Sequence, residues 1–80
     1  MGNNKILIVD DEKQICDLLA TYLSKDGYEP LTATSCEEAK EILNKLTPDL
    51  IILDIMLPDK SGMDLCMEIR RDKTVPIIFL

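Results

Sequence analysis

Eighty residues allow one small domain, and 46% hydrophobic with 30% charged residues fit a soluble globular chain rather than a disordered segment. A net charge of −6 leaves no basic footprint for DNA, RNA or anionic membranes. No apolar run reaches the length of a membrane span. Asp10 and Asp11 cut the N-terminal run too short for a signal peptide, so a cytoplasmic location is expected.

The chain contains no histidine, which removes imidazole from its metal, base and phosphocarrier chemistry. Cys16, Cys36 and Cys66 are odd in number and lack CxxC spacing, against both a disulfide framework and a zinc site. Cys16 and Cys66 fall in helical patterns as small buried hydrophobes. Cys36 stands at a helix start, where a thiol pKa can fall.

Lys5 to Val9 (KILIV) reads as a short buried strand ending at the pair Asp10-Asp11. From Glu12 to about Lys25 the spacing turns helical. Ile15, Leu18, Leu19, Tyr22 and Leu23 fall at i, i+3, i+4, i+7 and i+8 and predict an apolar stripe, with Lys13, Asp17, Lys25 and Asp26 off it. Gly27 ends this helix. Tyr28 to Ala33 has strand character, and Pro30, with no N–H for a ladder, places it at a sheet edge.

Ser35 and Glu38 form the pattern S-x-x-E and open a second helix, with Ala39, Ile42, Leu43 and Leu46 on its face and Thr47-Pro48 closing it. Leu50 to Leu53 (LIIL) is too short for a helix and suits a strand buried on both faces; it runs directly into Asp54. Pro58 and the cluster Asp59-Lys60-Ser61-Gly62 then turn the chain, with Asp59 and Gly62 read as turn residues. Ser61 to Asp64 opens a third helix with Leu65, Cys66 and Ile69 inward, and Val75 to Leu80 (VPIIFL) forms a fourth strand.

The order β-α-β-α-β-α-β implies an α/β fold, a right-handed, doubly wound parallel sheet in one domain spanning residues 1–80. The edge-type proline in the second strand favours the strand order 2-1-3-4. The crevice between the first and third strands is then the topological switch point, where ligands bind in such sheets. Asp10, Asp11 and Asp54 converge there.

Each acid alone has a plain structural reading. Asp10 or Asp11 suits a helix N-cap, Asp11 with Gln14 resembles a capping box, and Asp54 suits a turn residue bonded to backbone amides. Three carboxylates at adjacent strand ends repel one another unless a cation holds them. Oxygen donors without sulfur or imidazole point to a hard divalent ion, Mg²⁺ before Ca²⁺ or Mn²⁺. Neither a Walker A nor a G-x-G-x-x-G pattern is present, which argues against a nucleotide site.

ILIVDDE at Ile6 to Glu12, with LDIMLPDKSG at Leu53 to Gly62, resembles a two-component response-regulator receiver domain over essentially the whole chain. The resemblance implies a flavodoxin-like receiver fold and a signalling role rather than an enzymatic one. It implies that Asp54 accepts a phosphoryl group from a histidine kinase, and that Mg²⁺ is held by Asp10, Asp11, Asp54 and the backbone carbonyl of Met56. Pro58 and Gly62 would shape the loop beside the site, and a DNA-binding effector would lie outside this segment. A carboxylate oxygen is a competent nucleophile toward phosphorus, and the donor must be another protein or a small acyl phosphate.

The family continues with a Ser or Thr after the fourth strand and a Lys after the fifth, positions that fall beyond Leu80. The segment therefore reads as a receiver truncated before its fifth strand, with metal binding retained and phosphotransfer slowed. The fourth strand becomes an edge, and a homo-oligomer paired through Val75 to Leu80 is expected. Two other classes remain open. One is an interaction or dimerisation module that is never phosphorylated, separated from the receiver reading by its Mg²⁺ affinity. The other is an aspartyl-phosphate phosphohydrolase of the haloacid-dehalogenase type, whose pattern wants an Asp where Met56 stands.

Overall fold

The apolar runs and helical spacings form seven alternating elements in a computed structural model that describes residues 4–59, 61–72 and 74–80. They are β1 (Lys5–Val9), α1 (Lys13–Lys25), β2 (Glu29–Ala33), α2 (Cys36–Lys45), β3 (Leu50–Leu53), α3 (Gly62–Asp72) and β4 (Ile77–Phe79). The four strands are parallel in the order β2-β1-β3-β4, as expected from the sequence. Pro30 lies in β2, which pairs only with β1, so its missing N–H leaves no gap in the sheet interior. Lys60, part of the expected turn, lies outside the described residues.

Alternation along each strand builds two apolar layers. Leu7, Val9, Ala33, Ile51 and Leu53 point to one face, where α2 contributes Cys36, Ala39 and Leu43 and α3 contributes Leu65 and Ile69. Ile6 and Ile8 point to the other face and pack on Cys16, with Leu19, Ala20, Leu23, Leu50 and Ile52 around them. That second layer is thinner because α1 alone covers it. Ile78, paired in register with Ile52 on β3, is 53% exposed.

The face of α1 differs from the predicted stripe. Leu19 and Leu23 pack inward, but with Cys16 and Ala20, whereas Leu18 and Tyr22 are 56% and 60% exposed. The positions 16, 19, 20 and 23 form a stripe of their own at helical spacing. The small residues Cys16 and Ala20 permit close approach to β1. The Cys16 thiol is buried and bonds the carbonyl of Asp10 at 3.3 Å. Burial, and then the charge of Asp10, push its pKa up, which suits an inert core residue. Cys66 is half-buried and packs against the first layer, and none of the three cysteines is in a disulfide.

Helix ends follow local chemistry. Gly27 takes φ +91° just after α1, the left-handed position that favours glycine at a helix C-terminus. Ser35 caps α2, its hydroxyl accepting the N–H of Glu38 at 3.2 Å. Glu38 reaches back to the N–H and hydroxyl of Thr34, at 2.6 and 2.7 Å, rather than to Ser35 as in the usual capping box. Ser61 accepts the N–H of Met63, one residue short of the expected Asp64.

Candidate functional site

The site follows from strand register. Val9 is paired with Leu53 across β1 and β3, and with Ala33 across β2. The next residue of each inner strand still joins the ladder. Asp54 donates its N–H to the carbonyl of Val9 at 2.9 Å, and Asp10 donates to that of Ala33 at 3.0 Å. Asp10 and Asp54 therefore leave adjacent strands at one level, at the carboxyl edge of the sheet. Asp11 follows in the turn into α1. One carboxylate oxygen from each of the three residues lies within 4.8 Å of the others.

The plain readings of these acids are met only in part, and the remainder is informative. Asp10 accepts the N–H of Glu12 at 2.9 Å through Oδ1, and Asp54 accepts that of Met56 at 3.1 Å, also through Oδ1. Each bond fixes its carboxylate in a local Asx turn and engages one oxygen. The N-cap of α1 is Glu12, with no side-chain cap bond, so the capping box that Asp11 and Gln14 resemble in sequence does not form. Asp10 is 3% exposed and is the only buried charged residue among those described. A carboxylate so removed from water is costly unless a cation or further donors meet it. A cluster of hard oxygen donors with one buried member fits a small divalent cation in charge and donor type.

The loop after β3 holds this arrangement in place. Gly62 returns to its base, donating its N–H to the carbonyl of Ile55 at 2.6 Å. A Cβ on Gly62 would collide with the carbonyl of Asp54 and lie 2.8 Å from the Cα of Ile55, so the close approach requires glycine. Met56 forms an isolated antiparallel bridge with Ser61, and its side chain is exposed.

Asp59, read from sequence as a turn residue, has a larger role. Its Oδ1 accepts the N–H of Cys36 at 3.0 Å, and its Oδ2 accepts that of Glu37 at 3.2 Å. It thus caps the first turn of α2 from the loop that carries Asp54. The Cys36 N–H holds its carboxyl below the usual carboxylate range; desolvation opposes this and the Glu37 N–H adds to it. No local signal predicts the contact, because its partners lie 22 and 23 residues away. A separate groove of about 320 Å³ between α2 and α3, lined by residues including Lys40, Leu43 and Glu68, contains none of the three clustered acids.

The sequence pattern of the response regulator receiver domain matches residues 6–80, and the chain belongs to that family. It is a receiver domain of the two-component type. It is 50% identical over 76 residues to a protein of Guillardia theta described as "Probable transcriptional regulator ycf27", covering 95% of this chain and 30% of that one. Among solved structures, a two-component response regulator from Clostridium difficile is 39% identical with a TM-score of 0.94, over 96% of this chain and 64% of its own. The response regulator TrrA from Thermotoga maritima, solved in complex with Mg²⁺-BeF, is 43% identical with a TM-score of 0.88, over 95% of this chain and 67% of its own. The chain thus spans about a third of the transcriptional relative and about two-thirds of these structural ones.

Proposed function

We propose that Asp54 is the phosphoryl-accepting carboxylate of this receiver domain, and that Asp10, Asp11, Asp54 and the backbone carbonyl of Met56 hold the Mg²⁺ used in the transfer. The observation that carries the reading is the level exit of Asp10 and Asp54 from paired strands, with Asp11 beside them. Bound Mg²⁺ would offset the repulsion between the acidic cluster and an incoming phosphoryl group. A 43% identical relative was solved in complex with Mg²⁺-BeF, which supports Mg²⁺ as the ion.

The chain's own part in the reaction is positional. The Asx turn at Asp54 holds one carboxylate oxygen on the Met56 N–H and leaves the other to attack. An Asp54 oxygen–phosphorus bond forms as the donor's nitrogen–phosphorus bond breaks, and the departing imidazole keeps the electron pair. No histidine stands among these eighty residues, so the donor is a phosphohistidine outside them, as on a histidine kinase, or a small acyl phosphate. The product is an acyl phosphate held as a signal, so the domain works as a switch in the cytoplasm rather than as a turnover catalyst. The likeness to a transcriptional regulator supports a DNA-binding protein as the bearer of this receiver, with no nucleic-acid contact from this segment. Among the described residues no helix is long and apolar enough to cross a membrane.

Incubation with acetyl phosphate or a phosphorylated histidine kinase, followed by peptide mass spectrometry, tests the assignment. A phosphoryl label on Asp54 that is absent in Asp54→Asn is expected. A label elsewhere, or one that persists in Asp54→Asn, overturns it.

A further inference from the structure

We propose that Asp59 is a positioning residue for the Asp54 site, fastening the loop between β3 and α3 to the first turn of α2. The inference rests on the assignment of Asp54 and its metal cluster made above. The loop from Asp54 to Gly62 is closed at its base by the Gly62–Ile55 hydrogen bond and the Met56–Ser61 bridge. Those contacts join the two ends of the loop to each other. They do not join the loop to the rest of the molecule.

Asp59 makes that connection. Its two oxygens accept two successive N–H groups at the positive end of α2, at 3.0 and 3.2 Å. Charge-assisted bonds to a helix N-terminus are stronger than neutral ones. Ser35, the helix's own cap, serves the Glu38 N–H and leaves those of Cys36 and Glu37 to Asp59. Half-buried Leu57 gives the loop one apolar contact with the first core layer. Ile55, Met56 and Pro58, which flank Leu57 in the loop, are exposed. The polar clamp at Asp59 thus sets where the loop sits relative to the sheet, and with it the Met56 carbonyl and the Met56 N–H that orients Asp54. Metal and phosphoryl chemistry are sensitive to such placement.

The test compares Asp59→Ala with Ser35→Ala in this chain. Both variants remove a cap from α2, but only the first releases the loop. Amide hydrogen exchange read by NMR at Ile55 and Met56 should accelerate in Asp59→Ala and stay unchanged in Ser35→Ala. Calorimetry should show Mg²⁺ binding weakened roughly tenfold in Asp59→Ala alone, at the lower end of what outer contacts to a metal site usually contribute. Where Asp59→Ala does not fold, Asp59→Asn, which loses the charge and one acceptor, supports the same comparison. Equal loop exchange, or equal Mg²⁺ affinity, in Asp59→Ala and Ser35→Ala overturns the inference. Failure of the site assignment shows separately, as Mg²⁺ binding that survives Asp54→Ala in the otherwise unchanged chain.

Discussion

Asp54 donates its N–H to the carbonyl of Val9 at 2.9 Å, so the acid that ends β3 is hydrogen-bonded to the residue just before Asp10. That one bond fixes the level at which two carboxylates leave neighbouring strands. A register slip of one residue would send Asp54 to the other face of the sheet and separate them. The apolar pairs Leu7–Ile51 and Val9–Leu53, all four residues fully buried, make such a slip expensive. The core thus positions the acidic site directly.

The first prediction concerns the metal. Mg²⁺ should bind at millimolar or tighter concentration, and the heat of binding should vanish in Asp54→Ala and in Asp11→Ala. Because only the native state assembles the three carboxylates, Mg²⁺ should also raise the melting temperature of the wild-type chain. A rise of equal size in Asp54→Ala would refute the three-acid donor set.

Gly62 is tested by adding one methyl group. A Cβ there meets the Asp54 carbonyl and the Ile55 Cα, both backbone atoms that cannot rotate away. Gly62→Ala should destabilise the fold by about 1–3 kcal/mol, as overpacking usually does. It should also disturb the Met56 amide resonance. Unchanged urea midpoints and spectra would contradict the close approach.

The two layers make a graded prediction for α3. Leu65 is fully buried against the larger layer, so Leu65→Ala should lose about 2–5 kcal/mol. Met67, on the same helix, is 65% exposed, and Met67→Ala should stay within about 0.5 kcal/mol of wild type. Denaturant titration of both variants distinguishes the inward from the outward face.

Acid stability should carry the signature of two caps. The carboxyl of Asp59 is held low by the Cys36 N–H, and that of Glu38 by the Thr34 N–H and then its hydroxyl. A folded-state pKa below the unfolded one contributes stability that is complete above the unfolded value, about 4 for a carboxyl, and is lost as pH falls through the folded value. Unfolding midpoints should therefore be insensitive to these groups at neutral pH and fall below about pH 4. Asp59→Asn and Glu38→Gln should each flatten that acid limb. An acid limb of unchanged slope in both variants would argue against the caps.

Much of this was legible in the sequence for physical reasons. LIIL and KILIV are too short and too apolar to be anything but buried strands, and Pro30 marks the edge, so order and switch point follow. Asp10 and Asp54 are legible because each sits one residue beyond such a run, with Asp11 next to Asp10. The inward face of α1 was not, because Cys16 and Ala20 are weak apolar signals beside Leu18 and Tyr22. Contact with β1 favours the smaller pair. The Asp59 clamp was illegible for a different reason: an aspartate after a proline looks like a turn residue, and nothing local reveals a helix end 22 residues upstream in reach.

The last prediction concerns the outer edge of β4. This strand pairs only with β3, and Ile78 and Leu80 are each 53% exposed beside a sheet face that α1 covers incompletely. An edge of this kind presents unpaired backbone groups flanked by apolar side chains, which is a template for another strand. Prepared as an isolated 80-residue polypeptide, the protein should therefore self-associate through Ile77 to Leu80 in its folded form. Ile78→Lys places a charge on that edge while leaving the buried registers of β1 and β3 untouched, and it should shift the chain toward monomer. Sedimentation equilibrium across a wide concentration range reads the outcome directly. A wild-type chain that remains monomeric and unfolds cooperatively at high micromolar concentration would show that the edge is not a pairing surface.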